Sequence, residues 1–223
     1  MSPRASAVLR DLLPPQAYAF EHDLSGAESA TTSARQREFH AGRDCAHAAL
    51  QRLGVGGAVG RRPDRSPDWP PGSTGSIAHC PHLAVAVAGP DQHFAGLGVD
   101  LEDPSAVTVD LAAMVLTGRE PEQVLHNAAT MLPLVFSMKE SAYKCWYPLT
   151  GVALDFIDIE VSVDVDAGEF RATMVTSARH HPAHVPTRGR FTRHRGHVYT
   201  AAWIVRDASR PAVAGPVTAR GSG

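Results

Sequence analysis

Two short stretches hold the residues whose types and spacing suggest chemistry. The first, FSMKESAYKCWYPL (Phe136 to Leu149), sets Lys139, Glu140 and Lys144 inside a run of aromatic and apolar side chains. A buried helix avoids such charges, because an unpaired charge in low dielectric is costly. A solvated helix has no use for Phe136, Tyr143, Trp146 and Tyr147. Something polar should therefore lie against this segment, and the second stretch, GVDLED, offers it. On a strand, side chains alternate between faces, so Asp100 and Glu102 point one way and Leu101 the other. Adjacent carboxylates repel, and a divalent cation relieves that repulsion better than a lone lysine. If Glu140 comes opposite them, three oxygen ligands converge and leave octahedral positions for water and phosphate oxygens, as Mg²⁺ prefers.

Plainer explanations exist for each stretch. Taken alone, GVDLED is better explained as the polar end of a strand running into a loop. Phe136, Glu140 and Lys144 recur at four-residue spacing, so Glu140 and Lys144 share a helix face, with Lys139 about a hundred degrees round on the flank. A surface Glu–Lys pair would account for those two at a few tenths of a kcal/mol. It would leave the surrounding aromatics unexplained, whereas a metal-bound carboxylate with a polyphosphate reaching the lysine accounts for both.

The elements that must position these residues read as follows. Thr31 to Leu53 has helical spacing of Phe39, Cys45, Ala46, Ala49, Leu50 and Leu53, with Gly54 as its stop. A Gly/Pro-rich loop follows to about Gly75. Leu83–Gly89 and Ala95–Leu101 read as strands. A helical middle includes AAMVL and LPLVFSMKESAYKCWY and is expected to end at Pro148. VALDFIDIEVSVD and EFRATMV read as strands, and GRFTRHRGHVYTAAWIV as a hairpin turning at Arg195 and Gly196. Each half thus holds a helix and about three strands, which predicts an α+β fold with a cleft between an N-terminal half (residues 1–103) and a C-terminal half (104–206). Residues 207–223, rich in Ala, Pro, Gly and Arg, read as a disordered tail.

With 223 residues and 43% hydrophobic content the chain can bury a sizeable core. A formal net charge of −2 gives no global drive toward nucleic acid or an acidic membrane. The opening residues lack a basic-then-apolar leader pattern, and no apolar run is long enough to span a bilayer. Three scattered cysteines, Cys45, Cys80 and Cys145, suit reduced structural thiols in the cytoplasm.

Four blocks in order, RQREFHAGRDCAHAAL, DRSPDWPPGSTGSIAHC, GLGVDLE and FSMKESAYKCWYPLTG, resemble the 4′-phosphopantetheinyl transferases, in the two-half branch of the enterobactin type that activates synthetases for siderophores and polyketides. They cover roughly Arg35 to Gly151. The resemblance implies two pseudo-symmetric α+β halves with coenzyme A in the cleft between them. It further implies that Asp100, Glu102 and Glu140 are magnesium ligands, and that Lys144, Lys139 and His79 contact the phosphates of coenzyme A. Arg37 and Arg43 would lie near the adenosine 3′-phosphate, with Arg65 as a further basic position. Glu140, Lys144 and His79 would be the catalytic group. The implied partners are apo acyl or peptidyl carrier proteins, met by a cytoplasmic monomer. The residue before the histidine is usually Ser or Thr in relatives and is Ala78 here, so any hydroxyl contact from that position is lost.

Rival readings are weaker. Ser141 to Lys144 forms an S-x-x-K, but the companion S-D-N and K-T-G motifs of serine β-lactamases are absent. HCPH, HHPAH and HRGH lack the usual zinc-ligand spacings. GVGGAVG follows a helix, whereas a dinucleotide loop follows a strand. A non-catalytic module binding coenzyme A or a carrier protein, and a magnesium-dependent pyrophosphate hydrolase, remain the alternatives from other classes.

Overall fold

A computed structural model describes residues 2–25, 33–175 and 187–206; the expected tail and the HHPAH histidines lie outside the described residues. In chain order the elements are β1 (Arg4–Ala5), α1 (Ala7–Leu12), β2 (Tyr18–Asp23), α2 (Ala34–Leu53), β3 (Gly60–Arg61), β4 (Pro67–Asp68), β5 (Ser73–Cys80), β6 (Leu83–Pro90), β7 (Phe94–Glu102), α3 (Ala112–Val115), α4 (Glu120–Val124), α5 (Ala128–Thr150), β8 (Ile159–Asp164), β9 (Glu169–Met174), β10 (Thr187–His194) and β11 (His197–Val205). Two antiparallel sheets result, ordered β1-β2-β6-β5 and β7-β11-β10-β9-β8, with β3 and β4 forming a small separate ribbon.

Strand alternation dictates the layering. On β6, Ala86 and Ala88 pack against Cys45, Ala46, Ala49 and Leu50 of α2, while Val85 and Val87 face the other way. There they meet Leu97, Val99 and Leu101 of β7, Tyr199 and Ala201 of β11, and Leu9 and Leu12 of α1 in one core shared by both sheets. The opposite face of the second sheet is covered by α5, through Leu134, Val135, Met138, Ala142 and Trp146.

Helix boundaries follow local chemistry. Ser33 caps α2 in a reciprocal capping box with Gln36, and left-handed Gly54 ends it. The expected stop at Pro148 does not occur. Proline there removes only the bond its own N–H would make to the Lys144 carbonyl, so α5 runs on to Thr150 and stops at left-handed Gly151. The hairpin turns at Arg195 and Gly196, both at positive φ as a two-residue primed turn requires. β5 was not anticipated as a strand, and VALDFIDIEVSVD is extended only over Ile159–Asp164, preceded by a 3-10 turn at Phe156–Asp158.

One boundary needs correction. β7 falls in the N-terminal half when the chain is divided at residue 103, yet its hydrogen bonds run to β11, from Glu102↔Val198 to Phe94↔Val205. It is an edge strand of the second sheet, because that pairing lets its glycine-rich face lie under α5. A Cβ at Gly98 would collide with the Ser141 carbonyl oxygen, and one at Gly96 with the Cys145 carbonyl oxygen. Gly98→Ala is expected to destabilise the fold by about 2–3 kcal/mol, read from urea unfolding; an unchanged midpoint would mean that α5 does not rest on this strand.

Candidate active site

The close approach of α5 to β7 sets the acidic centre. Asp100 and Glu102 share the face of β7 that carries Gly98, turned toward α5, while Leu101 is buried in the shared core. Asp100 is 5% exposed. One of its oxygens accepts from the Lys144 ammonium at 2.6 Å, the other from the Ser137 hydroxyl at 2.8 Å. Thr200, opposite Asp100 on β11, donates to the Ser137 carbonyl at 2.9 Å and completes the support. Glu140 lies 3.9 Å from Lys144, one turn away on the same face as its spacing predicts.

Negative charge is in excess here. Burial, then the neighbouring charge of Asp100, push Glu102 up from the ordinary 4.5 to about 7, with Lys144 acting against them and Glu140 and Asp103 adding to them. Burial and Asp100 also raise Glu140, again against Lys144. Burial alone would depress Lys144, but Asp100, Glu140 and Glu102 outweigh it and hold the ammonium above its usual value. Three carboxylates therefore share one cation. Among the described residues no three acidic, His or Cys side chains stand ready-converged on a metal position, and Lys144 occupies the space on Asp100 that a cation would want. The donors nonetheless suit a hard divalent ion: all are carboxylate oxygens, from two elements, with an unmet charge.

The other expected site residues lie around this centre or away from it. His79, on β5, sits 3.3 Å from Glu38 of α2. Its neighbour Cys80 has a thiol raised to about 12 by burial and then by Glu102, Asp103, Asp100 and Glu38, which puts the end of β5 beside the acidic centre. Arg43 donates through Nη1 to the carbonyls of Val59 and Gly60, at 2.7 and 2.6 Å, and stacks on Phe39. Arg37 is half-buried near the start of α2, and Arg65 is exposed in the turn between β3 and β4.

Lys139 is the correction. Its ammonium is fully buried and bonds to Glu120 at 2.6 Å, the Val115 carbonyl at 2.7 Å and the Phe156 carbonyl at 3.1 Å. Glu120 also accepts from the backbone N–H groups of Thr117 and Val161. With every donor met inside the protein, Lys139 is not offered to a phosphate; it pins residues 115–120 and the start of β8 to α5. Glu120, Ser137 and Thr200 went unrecognised in the sequence; Ser137 lies on α5 three residues before Glu140 and seven before Lys144, a spacing that could have marked it, whereas no spacing links Glu120 or Thr200 to the helix.

Comparison with known proteins accords with this arrangement. Residues 23–89 match the description "4′-phosphopantetheinyl transferase N-terminal domain", and residues 96–202 match "4′-phosphopantetheinyl transferase superfamily". The chain is 31% identical over 178 residues to 4′-phosphopantetheinyl transferase PptT of Mycobacterium tuberculosis, covering 75% of this chain and 78% of that one. It is 40% identical over 149 residues to 4′-phosphopantetheinyl transferase Svp of Streptomyces mobaraensis, covering 63% and 60%. It is 36% identical over 118 residues to enterobactin synthase component D of Salmonella typhi, covering 50% and 48%. The matched region thus spans less than two thirds of the length of some of these relatives. The chain belongs to the 4′-phosphopantetheinyl transferase superfamily. Among the described residues no helix is long and apolar enough to cross a membrane.

Two outcomes test this electrostatic description. Because Glu102 and Glu140 are raised in the folded state, their contribution to stability is fully present below the ordinary carboxyl value and is lost as pH climbs above it, through about 7 for Glu102. In chelator, Tm should fall across that window, and Glu102→Gln should flatten the fall; a profile unaffected by the substitution would contradict it. Lys139→Ala should cost about 3–5 kcal/mol by stranding a buried carboxylate, with Glu120→Gln in a Lys139→Met background recovering part of the loss in urea titrations.

Proposed function

We propose that this protein transfers the 4′-phosphopantetheine arm of coenzyme A to a serine hydroxyl of an apo acyl or peptidyl carrier protein, releasing adenosine 3′,5′-bisphosphate. The observation that carries the proposal is the crowding of Asp100, Glu102 and Glu140 onto the single ammonium of Lys144. Such an excess of carboxylate suits a site that receives a cation together with a diphosphate.

Asp100, Glu102 and Glu140 would hold Mg²⁺. Bound there, the ion would screen the diphosphate and offset charge on the departing oxygen. The chain's own groups do the rest. Positioning and charge neutralisation dominate phosphoryl transfer. With Asp100 serving such an ion, Lys144 would be free to donate to a phosphate oxygen where charge develops. His79, 44% exposed at the end of β5 and held by Glu38, is a second donor to the same group. Glu140, raised by burial, accepts the serine proton directly or through water. The serine oxygen forms a bond to the β-phosphorus as the bond to the bridging oxygen breaks, and that oxygen leaves on the nucleotide. Basic residues of α2 and of the β3–β4 turn, Arg37, Arg43 and Arg65, face the 3′-phosphate; Arg43 can contribute only what its bonds to Val59 and Gly60 leave over. Family membership and the arrangement of charge support these roles, and a cytoplasmic setting is proposed with them.

Mass spectrometry of an apo carrier domain incubated with coenzyme A, MgCl₂ and the protein should record addition of the phosphopantetheine arm. Glu140→Gln and Glu102→Gln should each slow transfer about a hundredfold or more with circular dichroism unchanged. Undiminished transfer by either variant would remove that residue from the machinery. Release of adenosine bisphosphate without any carrier would instead identify a pyrophosphate hydrolase.

A further inference from the structure

The β3–β4 ribbon is tied to both halves of the molecule. At its base, Arg43 of α2 holds the Val59 and Gly60 carbonyls. At its tip, Asp64 accepts from the Tyr147 hydroxyl of α5 at 2.7 Å. The second oxygen of Asp64 accepts from the Ser66 N–H and hydroxyl at 2.9 and 2.7 Å. Backbone bonds from Arg62 to Ser66 and from Arg65 to Arg62 close the turn, and Arg65 sits at φ 74°, a conformation non-glycine residues adopt when their surroundings impose it.

The turn is built to present positive charge. Arg62 pairs with Asp68 at 3.1 Å, and Asp64 is engaged by Tyr147 and Ser66. Among the described residues neither Arg61 nor Arg65 has a carboxylate partner, and Arg61 stands close enough to Arg43 for its charge to bear on that guanidinium. A phenol anchors Asp64 without adding a cation, so the anchor leaves the arginines' charge to act on something else. Tyr147 packs against Tyr143, with ring centroids 5.4 Å apart, and Tyr143 precedes Lys144. The turn is thus fastened to α5 within about one helical turn of the acidic centre.

We propose that Tyr147 and Asp64 form a latch that holds the Arg61–Ser66 turn against α5, making both of them positioning residues for the 3′-phosphate end of coenzyme A. This rests on the transfer reading above. Without the latch the ribbon remains anchored at its base, but its arginines no longer hold one place relative to the diphosphate site.

Tyr147→Phe keeps the ring and removes the donor. Two measurements decide the matter. Trypsin cleavage after Arg61 or Arg65 should quicken about three- to fivefold in the variant, since the tip is released. The KM for coenzyme A should rise by a similar factor, with kcat changed less than twofold and the KM for 3′-dephospho-coenzyme A unmoved. Asp64→Ala, which also removes the Ser66 bonds, should give at least as large an effect in the same direction, and the double variant should be no worse than Asp64→Ala alone. Unaltered cleavage, or an equal change with both cofactors, overturns the latch. A wild-type protein that transfers nothing while the cleavage difference persists would sink the transfer reading and leave the latch standing.

Discussion

The structure depends on backbone meeting backbone where α5 lies on β7. Gly96 and Gly98 alternate with Leu97 and Val99, so one face of the strand is bare and the other is apolar core. Further along the bare face come Asp100 and Glu102. The helix can approach only because the glycines offer no Cβ, and that approach brings Ser137, Glu140 and Lys144 to the carboxylates. Small residues where the layers touch and acidic residues further along the same face belong to one pattern, which converts a packing constraint into a charged cluster.

Two lysines on the same helix show how surroundings decide a role. Lys139 is matched by one carboxylate and two carbonyls, and Glu120 is matched in turn by two backbone donors; nothing is left over. Such a pair is costly to break and offers nothing to a ligand. Lys144 faces three carboxylates and cannot satisfy them. The imbalance, rather than the presence of charge, distinguishes the side of the helix that meets β7 from the side that holds Lys139.

Much of this was legible in the chain, and the omissions have reasons. Alternation correctly separated Asp100 and Glu102 from Leu101, and helical spacing correctly paired Glu140 with Lys144, because both patterns are local. The Arg195–Gly196 turn was equally local. Lys139 was misread because its partner, Glu120, sits in a segment of short helices whose position relative to α5 only packing determines. β5 escaped notice because Ser73, Thr74, Gly75 and Ser76 look like loop; Gly75 is needed there because a side chain would strike Trp69 and the Val87 carbonyl oxygen. Pro148 suggested a stop, but losing one bond near the end of a long packed helix was tolerable. The Asp64–Tyr147 bond joins residues far apart in the chain, so no window of sequence holds both.

The membership of β7 in the second sheet also divides the molecule mechanically. Asp100, Glu102, Glu140 and Lys144 all ride on β7 and α5, whereas Glu38 and His79 ride on the first sheet and its helix, and the arginine ribbon is tied to both through Arg43 and Tyr147. A rocking of one layer against the other would leave the acids in register with each other, change their distance from His79 and Glu38, and load the Asp64–Tyr147 bond. A molecule with a negative diphosphate and a negative far end would span that gap, so its arrival and departure would be felt as a change in how firmly the two layers are held together.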